Sequence, residues 1–327
     1  MTSNAVMKKI IDDLNSEDWV LRISCAKRLD WTPTPEQVEI GLQDVDFVVK
    51  LAWLERMDWT PTRKQVEMGL EDGMLDVRVA WVKRMDWAPT QEQIDRGLKD
   101  EYWKVRLGWS ERMDWTPTPE QVEIGLKDTE LDVREAWIRR MDWTPTPAQV
   151  EMGLSDKDRD IRKAWVNRTD WTHVPEQIDK CLKDGYWRVR LGWAERMDWT
   201  PTPEQVENGL DDDDLHVREA WVKRMDRTPT RAQVDRGLND RTIRVRAAWI
   251  RRMDWTATQD QVESGLNSRY REIRAAWADR HDFIPTSTQI ERGLKDEFGE
   301  VRGAWMNRLR MEQEKLLMDE QDLCASL

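Results

Sequence analysis

This sequence holds few of the residues on which most site chemistry depends. Its 327 residues include only three cysteines, three histidines, three tyrosines and three phenylalanines. Cys25, Cys181 and Cys324 are odd in number and far apart along the chain, which argues against a disulfide framework, a CxxC redox pair or a cysteine zinc site, so free thiols are expected. His173, His216 and His281 share no spacing with one another or with an acidic partner, so a shared metal is not expected either. There is no glycine-rich phosphate loop and no nucleophile elbow. No unbroken apolar run is long enough for a membrane span, and the stretch from Met1 to Asn15 has Lys8 and Lys9 without the apolar segment and cleavage site of a secretory signal. The expectation is a cytoplasmic, non-membrane, non-enzymatic protein without a cofactor.

What is abundant is tryptophan, with 21 residues, and charge, with 52 Lys and Arg against 64 Asp and Glu for a net −12. One aromatic type so enriched over the others points to copying of a short unit. Aligned on itself, the chain shows a 28-residue period without insertion or deletion, its units starting at Asp30, Asp58, Asp86, Asp114, Asp142, Asp170, Asp198, Asp226, Asp254 and Asp282. Positions are numbered 1 to 28 along the fourth unit, Asp114 to Met141. Across all ten units, position 1 is Asp, 8 Gln, 13 Leu, 24 Trp and 27 Arg, while position 9 is Val or Ile and position 10 is acidic.

Each unit carries two helix patterns and no strand pattern. Thr118-Pro119-Glu120-Gln121 predicts a helix start, with Thr as N-cap, Pro in the first turn and Gln closing a capping box. Helix A should run about ten residues with Val122 and Leu126 buried one turn apart. Gly125 costs roughly 0.5 to 1 kcal/mol relative to Ala in a helix, so its recurrence suggests a place where elements approach closely. Helix B is predicted from Leu131 to Met141, with Val133, Ala136 and Trp137 on one stripe, and the following Asp-Trp-Thr-Pro ends it. Two helices of roughly 15 Å cannot bury these stripes alone, and stacked neighbours must complete the core. An all-α, right-handed α-solenoid follows. Residues 1–29 keep the register without the motif (Leu14, Arg22, Arg28, and Cys25 in place of Trp) and read as a capping repeat. Residues 30–309 are the ten repeats, and 310–327 a C-terminal capping helix and tail in which Leu316, Leu317 and Leu323 are available to cover the last repeat.

Asp128, Val133, Arg134 and Ala136 form a pattern, Asp-x4-Val-Arg-x-Ala, that resembles the HEAT repeat; Asp72, Val77, Arg78, Ala80 and Asp240, Val245, Arg246, Ala248 repeat it. The Thr-Pro-x-Glu entry and short period also resemble the leucine-rich repeat variant, a helical solenoid of alternating α and 3₁₀ helices. The resemblance covers Asp30 to Leu309 and implies Asp and Arg residues that link adjacent units, with scaffolding and recognition rather than catalysis. HEAT units themselves are longer, at about 40 residues.

The tryptophans of position 24 follow a small residue on the apolar stripe and are expected to form a core ladder rather than a stacking platform. Arg at positions 21 and 27 flanks that Trp, which makes cation-π contacts and ion pairs with Asp at positions 15 and 1 available. His173 and Cys181 share a unit, but one precedes helix A and the other lies two turns inside it, giving no nucleophile-base pair. Two features stand outside the scaffold. The eighth unit has eight Arg against three Asp, net +5, directly after a unit of net −5. Its Arg231, Arg236, Arg241, Arg244 and Arg251 are candidates for an anion or acidic partner, whereas Arg246 and Arg252 occupy scaffold positions. Tyr102-Trp103, Tyr186-Trp187 and Tyr270-Arg271 recur at every third unit, at the entry to helix B; with Leu107 and Leu191 they suggest a recognition stripe along positions 18, 22 and 25. The expected function is a binding scaffold for a protein or extended peptide. The alternative is nucleic acid or another polyanion bound through the eighth repeat. The distinct ends argue against filaments and favour a monomer.

Overall fold

The computed structural model describes residues 3–325, with side chains from 8 to 314 and at Met318. The side chains of Leu316, Leu317 and Leu323, and that of Cys324, therefore lie outside the described residues. The chain is an α-solenoid of 22 helices with no strand among the described residues. Ser3–Leu14 and Trp19–Ala26 form the first pair; ten further pairs follow with the 28-residue period, from Pro35–Leu42 and Phe47–Leu54 to Ser287–Leu294 and Gly299–Ala325. The last helix has 27 residues because no Asp-Trp-Thr-Pro turn interrupts it. Contacts divide the chain into two compact units, one ending at Thr172 and one beginning at His173. Within each, helix B packs on helix A of its own repeat and on the next helix B.

The local rules act as the sequence implies. In the fourth repeat Thr118 caps Pro119–Leu126, its hydroxyl accepting from the Gln121 N–H at 3.3 Å while Gln121 Oε1 accepts from the Thr118 N–H at 2.8 Å. Where Val174 takes the cap position, Gln177 still accepts from its N–H at 3.1 Å, but a valine side chain cannot reciprocate. Helix A is α throughout and eight residues long here, and helix B ends at Arg139 rather than Met141. The backbone of Arg140 is already extended, which turns its side chain back beneath the neighbouring repeat.

The core is the tryptophan ladder. Every position-24 ring is buried, and in at least seven repeats it meets the position-2 ring edge to face, as Trp115 and Trp137 do with centroids 6.0 Å apart. Gly125 exists for this ring. A Cβ there would lie 2.0 Å from Trp137 Nε1, so the indole, rather than a neighbouring backbone, occupies the space that glycine leaves.

Candidate binding surface

Three polar ladders join successive repeats, and they set apart the residues that hold the fold from those left over. The first is Arg at position 27. Arg140 is 3% exposed and uses every donor: Nε reaches Asp142 at 3.0 Å, Nη1 reaches the carbonyls of Ser110 and Arg112 at 3.1 and 2.6 Å, and Nη2 reaches the Trp115 carbonyl at 2.9 Å and Asp142 at 2.5 Å. It thereby satisfies carbonyls at the end of the preceding helix B, which have no partner within that helix. Its guanidinium also lies 4.5 Å from the centroid of the Trp115 ring, nearer than the 5.5 Å to Trp137.

The second ladder joins a base at position 21 to Asp at position 15 of the following repeat. It is seen in Arg22–Asp44, Lys50–Asp72, Arg78–Asp100, Arg106–Asp128, Arg134–Asp156, Arg190–Asp212, Arg218–Asp240 and Arg274–Asp296 at 2.6 to 3.2 Å. Beside Arg106 and Arg190 these carboxylates hold the guanidinium pKa above its usual value. The third ladder explains the invariant Gln. While its Oε1 closes the capping box, its Nε2 donates to the position-10 acid of the preceding repeat, as in Gln93–Glu67 at 2.7 Å, Gln121–Asp95 at 2.6 Å and Gln289–Glu263 at 2.6 Å. Glutamate would serve the cap but face a like charge here.

These ladders absorb several residues singled out in the sequence. Tyr102 is exposed, yet Arg78 stacks on its ring at 5.1 Å, and Arg269 donates to the Tyr270 hydroxyl. The basic eighth repeat is answered by the acidic seventh: Arg236 pairs with Glu207 at 2.7 Å, Arg241 approaches Asp213 at 4.0 Å, and Arg244 pairs with Glu219. Arg231 lies 3.8 Å from Asp235 in its own helix, and Arg251 is exposed. The opposite net charges of the two repeats thus meet across their junction. Arg252 holds the position-27 pattern, but Arg246 departs from the expected ladder role, because Ser268 replaces its aspartate partner.

The stripe of positions 18, 22 and 25 needs a correction. Position 25 is buried in nine repeats, Ile138 and Ala194 among them, because it packs between consecutive B helices; only Met306 is exposed. Positions 18 and 22 are half-buried at Trp103, Leu107, Trp187 and Leu191. Lys104 lies 5.8 Å from the centroid of the Trp103 ring, while Trp187 touches Tyr186 at 6.3 Å and stacks on His216 at 5.2 Å and 22°.

The outer face instead presents position 28. Met57, Met85, Met113, Met141, Met197 and Met253 are all at least half exposed. Met141 edges a groove of about 390 Å³ between consecutive B helices, with Leu131, Glu135, Ile138, Lys163 and Ala164. The equivalent groove two repeats on measures about 280 Å³ and brings Met197 together with Leu191, Ala194, His216 and Ala220. The repetition of Met within Arg-Met-Asp-Trp was visible in the sequence. Its exposure was not, because a methionine one turn beyond a buried tryptophan reads as part of the same stripe.

Among the described residues no group of three His, Cys, Asp or Glu is placed to hold a metal ion. Burial pushes the Cys25 thiol up to about 11, making it a poor thiolate. No helix among the described residues is long and apolar enough to cross a membrane.

No family model matches the chain, and no curated protein matches it. Its fold does have a solved counterpart. The chain is similar to a structure described as a leucine-rich repeat variant with a novel repetitive protein structural motif, at 22% identity and a TM-score of 0.50, over 67% of this chain and 81% of that one. At that identity the likeness is one of fold. It agrees with the helical-repeat resemblance carried by the Thr-Pro entry.

Proposed function

We propose that the protein is a non-enzymatic scaffold that binds another protein, or an extended peptide, along the outer face of its B helices. The observation that carries this reading is the repeated groove floored by aliphatic residues and edged by exposed methionine. Methionine is flexible and polarizable, and suits surfaces that adapt to another chain; a recurring row of exposed apolar side chains has no role in the ladders that hold the repeats. Trp187 and Leu191 extend the same face and supply an aromatic anchor. Residues 1–29 and 310–327 act as the caps of the array in this reading, and the protein works as a monomer in the cytoplasm. Pairing of Arg236, Arg241 and Arg244 with the preceding repeat weighs against the polyanion alternative, because those charges are already partly neutralised.

The test is to select peptides from a displayed library on the immobilised protein and to measure their affinity for wild type, for Met113→Glu/Met141→Glu and for Arg231→Glu/Arg251→Glu. The expected result is an affinity that falls at least about tenfold in the methionine variant and changes little with salt. Ligands that ignore the methionines but weaken steeply with salt and in the arginine variant would replace this reading with the polyanion one.

A further inference from the structure

One junction breaks the second ladder, and it does so in the most basic part of the chain. In eight other junctions a position-21 base is paired with the Asp of position 15 in the next repeat. Between the eighth and ninth repeats that Asp is Ser268. Ser268 keeps half of the aspartate's work: its Oγ accepts from the Tyr270 N–H at 3.2 Å, as Asp240 Oδ1 accepts from the Thr242 N–H at 2.7 Å. It cannot supply the carboxylate. Arg246 Nε is consequently buried with no hydrogen-bond partner, although all its sister arginines in the second unit up to Arg274 direct this atom at an aspartate. Asp240 of its own repeat is taken by Arg218 at 2.8 Å.

The surroundings add positive charge and donors. The Arg246 guanidinium lies 5.1 Å from the centroid of the Tyr270 ring, and Arg269 lies 4.6 Å from it while donating to the Tyr270 oxygen. Hydrogen bonding from Arg269, followed by the contribution of Arg246, holds the Tyr270 phenol below its ordinary pKa. In the sister junctions of the second unit one guanidinium grips a monoanionic carboxylate through two parallel bonds. Here Ser268 leaves a hydroxyl where the sister junctions have the carboxylate, and Arg269 adds a second guanidinium against the Tyr270 ring beside Arg246, an arrangement that favours a dianion with more than two oxygens.

We propose that Arg246, Ser268, Arg269 and Tyr270 form a binding site for a phosphoryl group, which takes the place of the aspartate that this junction lacks. An anion there gives Arg246 Nε its acceptor and closes the ladder between the two repeats, so binding and the stability of the second unit rise together. The site is independent of the methionine groove and does not rest on the scaffold reading.

Ser268→Asp restores the missing carboxylate and so competes with the ligand from within the chain. Thermal melting of wild type and Ser268→Asp is measured in inorganic phosphate, in O-phosphoserine and in acetate, each against sodium chloride of equal ionic strength. Wild type is expected to melt roughly 2 to 4 °C higher in saturating phosphate or phosphoserine, and Ser268→Asp to melt higher than wild type without phosphate and to show no phosphate shift. A larger shift with phosphoserine than with phosphate assigns the site to a phosphorylated side chain; equal shifts assign it to the free ion. Arg246→Gln should lose the shift as well. Equal phosphate shifts in wild type and Ser268→Asp, no shift in wild type, or a shift with acetate as large as with phosphate would each overturn the proposal.

Discussion

Trp137 lies in the last turn of a helix B and Met141 just beyond that helix's end, and both types recur with the repeat, yet the first is 0% and the second 59% exposed. The difference separates two reasons for repetition. Trp137 is fixed by its neighbours: Gly125 leaves it space, Trp115 meets its edge and Arg140 lies beside it. Met141 is fixed by no such set of contacts and faces the groove. A residue that recurs in the seam therefore reports folding, whereas one that recurs on the outer face, outside the ladders, is not accounted for by folding and is what the proposed binding role would use.

The largest test of this contrast is Trp137→Ala, expected to destabilise by roughly 3 to 5 kcal/mol in urea unfolding. Gly125→Ala should follow at roughly 1 to 3 kcal/mol, since its Cβ would collide with that indole. A negligible loss at Gly125 would show that the ring shifts freely and that the seam is less constrained than its geometry implies. Arg140→Gln is next, at roughly 2 to 3 kcal/mol, because it strands buried carbonyls of the preceding repeat. Arg139→Gln, an exposed neighbour paired with Glu135 at 2.5 Å, should cost less than about 0.5 kcal/mol.

Much of the seam was legible in the sequence and its partners were not. Thr118, Gln121 and Trp137 follow from spacing alone, since capping and amphipathicity are local. That Gln121 also reaches Asp95, and that Arg140 reaches back to Ser110 and Arg112, depends on how one repeat lies on the last. Composition gave the seventh and eighth repeats opposite charges, and only the stacking shows that these charges meet. The break at Ser268 was visible as one letter, but it carries meaning only once Asp at position 15 is known to be the partner of the preceding repeat's position 21.

Acid sharpens the same comparison, because carboxylates hold the seam and not the groove. Hydrogen bonds from Arg56, Arg112 and Arg196 hold Asp58, Asp114 and Asp198 below the usual carboxylate pKa. Since the folded values are depressed, the stability they contribute is present above the unfolded value of about 3.9 and is lost as pH falls through the folded values. Stability should be level from about pH 7 to about 5 and decline below about 4. Asp114→Asn should flatten that decline while lowering stability at neutral pH; an unchanged acid limb would remove the seam from the explanation.

The smallest expected effect is the most specific to the outer face. Threonine already stands at position 28 in the fifth repeat, as Thr169, so the segment just after helix B tolerates it there. Met141→Thr should accordingly change stability by less than about 0.5 kcal/mol, the usual range for exposed sites. Met225 occupies the same repeat position but is only 4% exposed. Arg227 replaces the position-2 tryptophan just after it, helix B there runs one residue further to Arg224, and Met225 joins the buried cluster that contains Trp249. Met225→Thr should therefore cost roughly 2 to 3 kcal/mol, as loss of a buried side chain does. Urea unfolding of the two variants compares one substitution at one repeat position in two environments. Similar losses at both would mean that Met141 is held by packing after all, and the row of methionines would return to the seam instead of marking the proposed binding face.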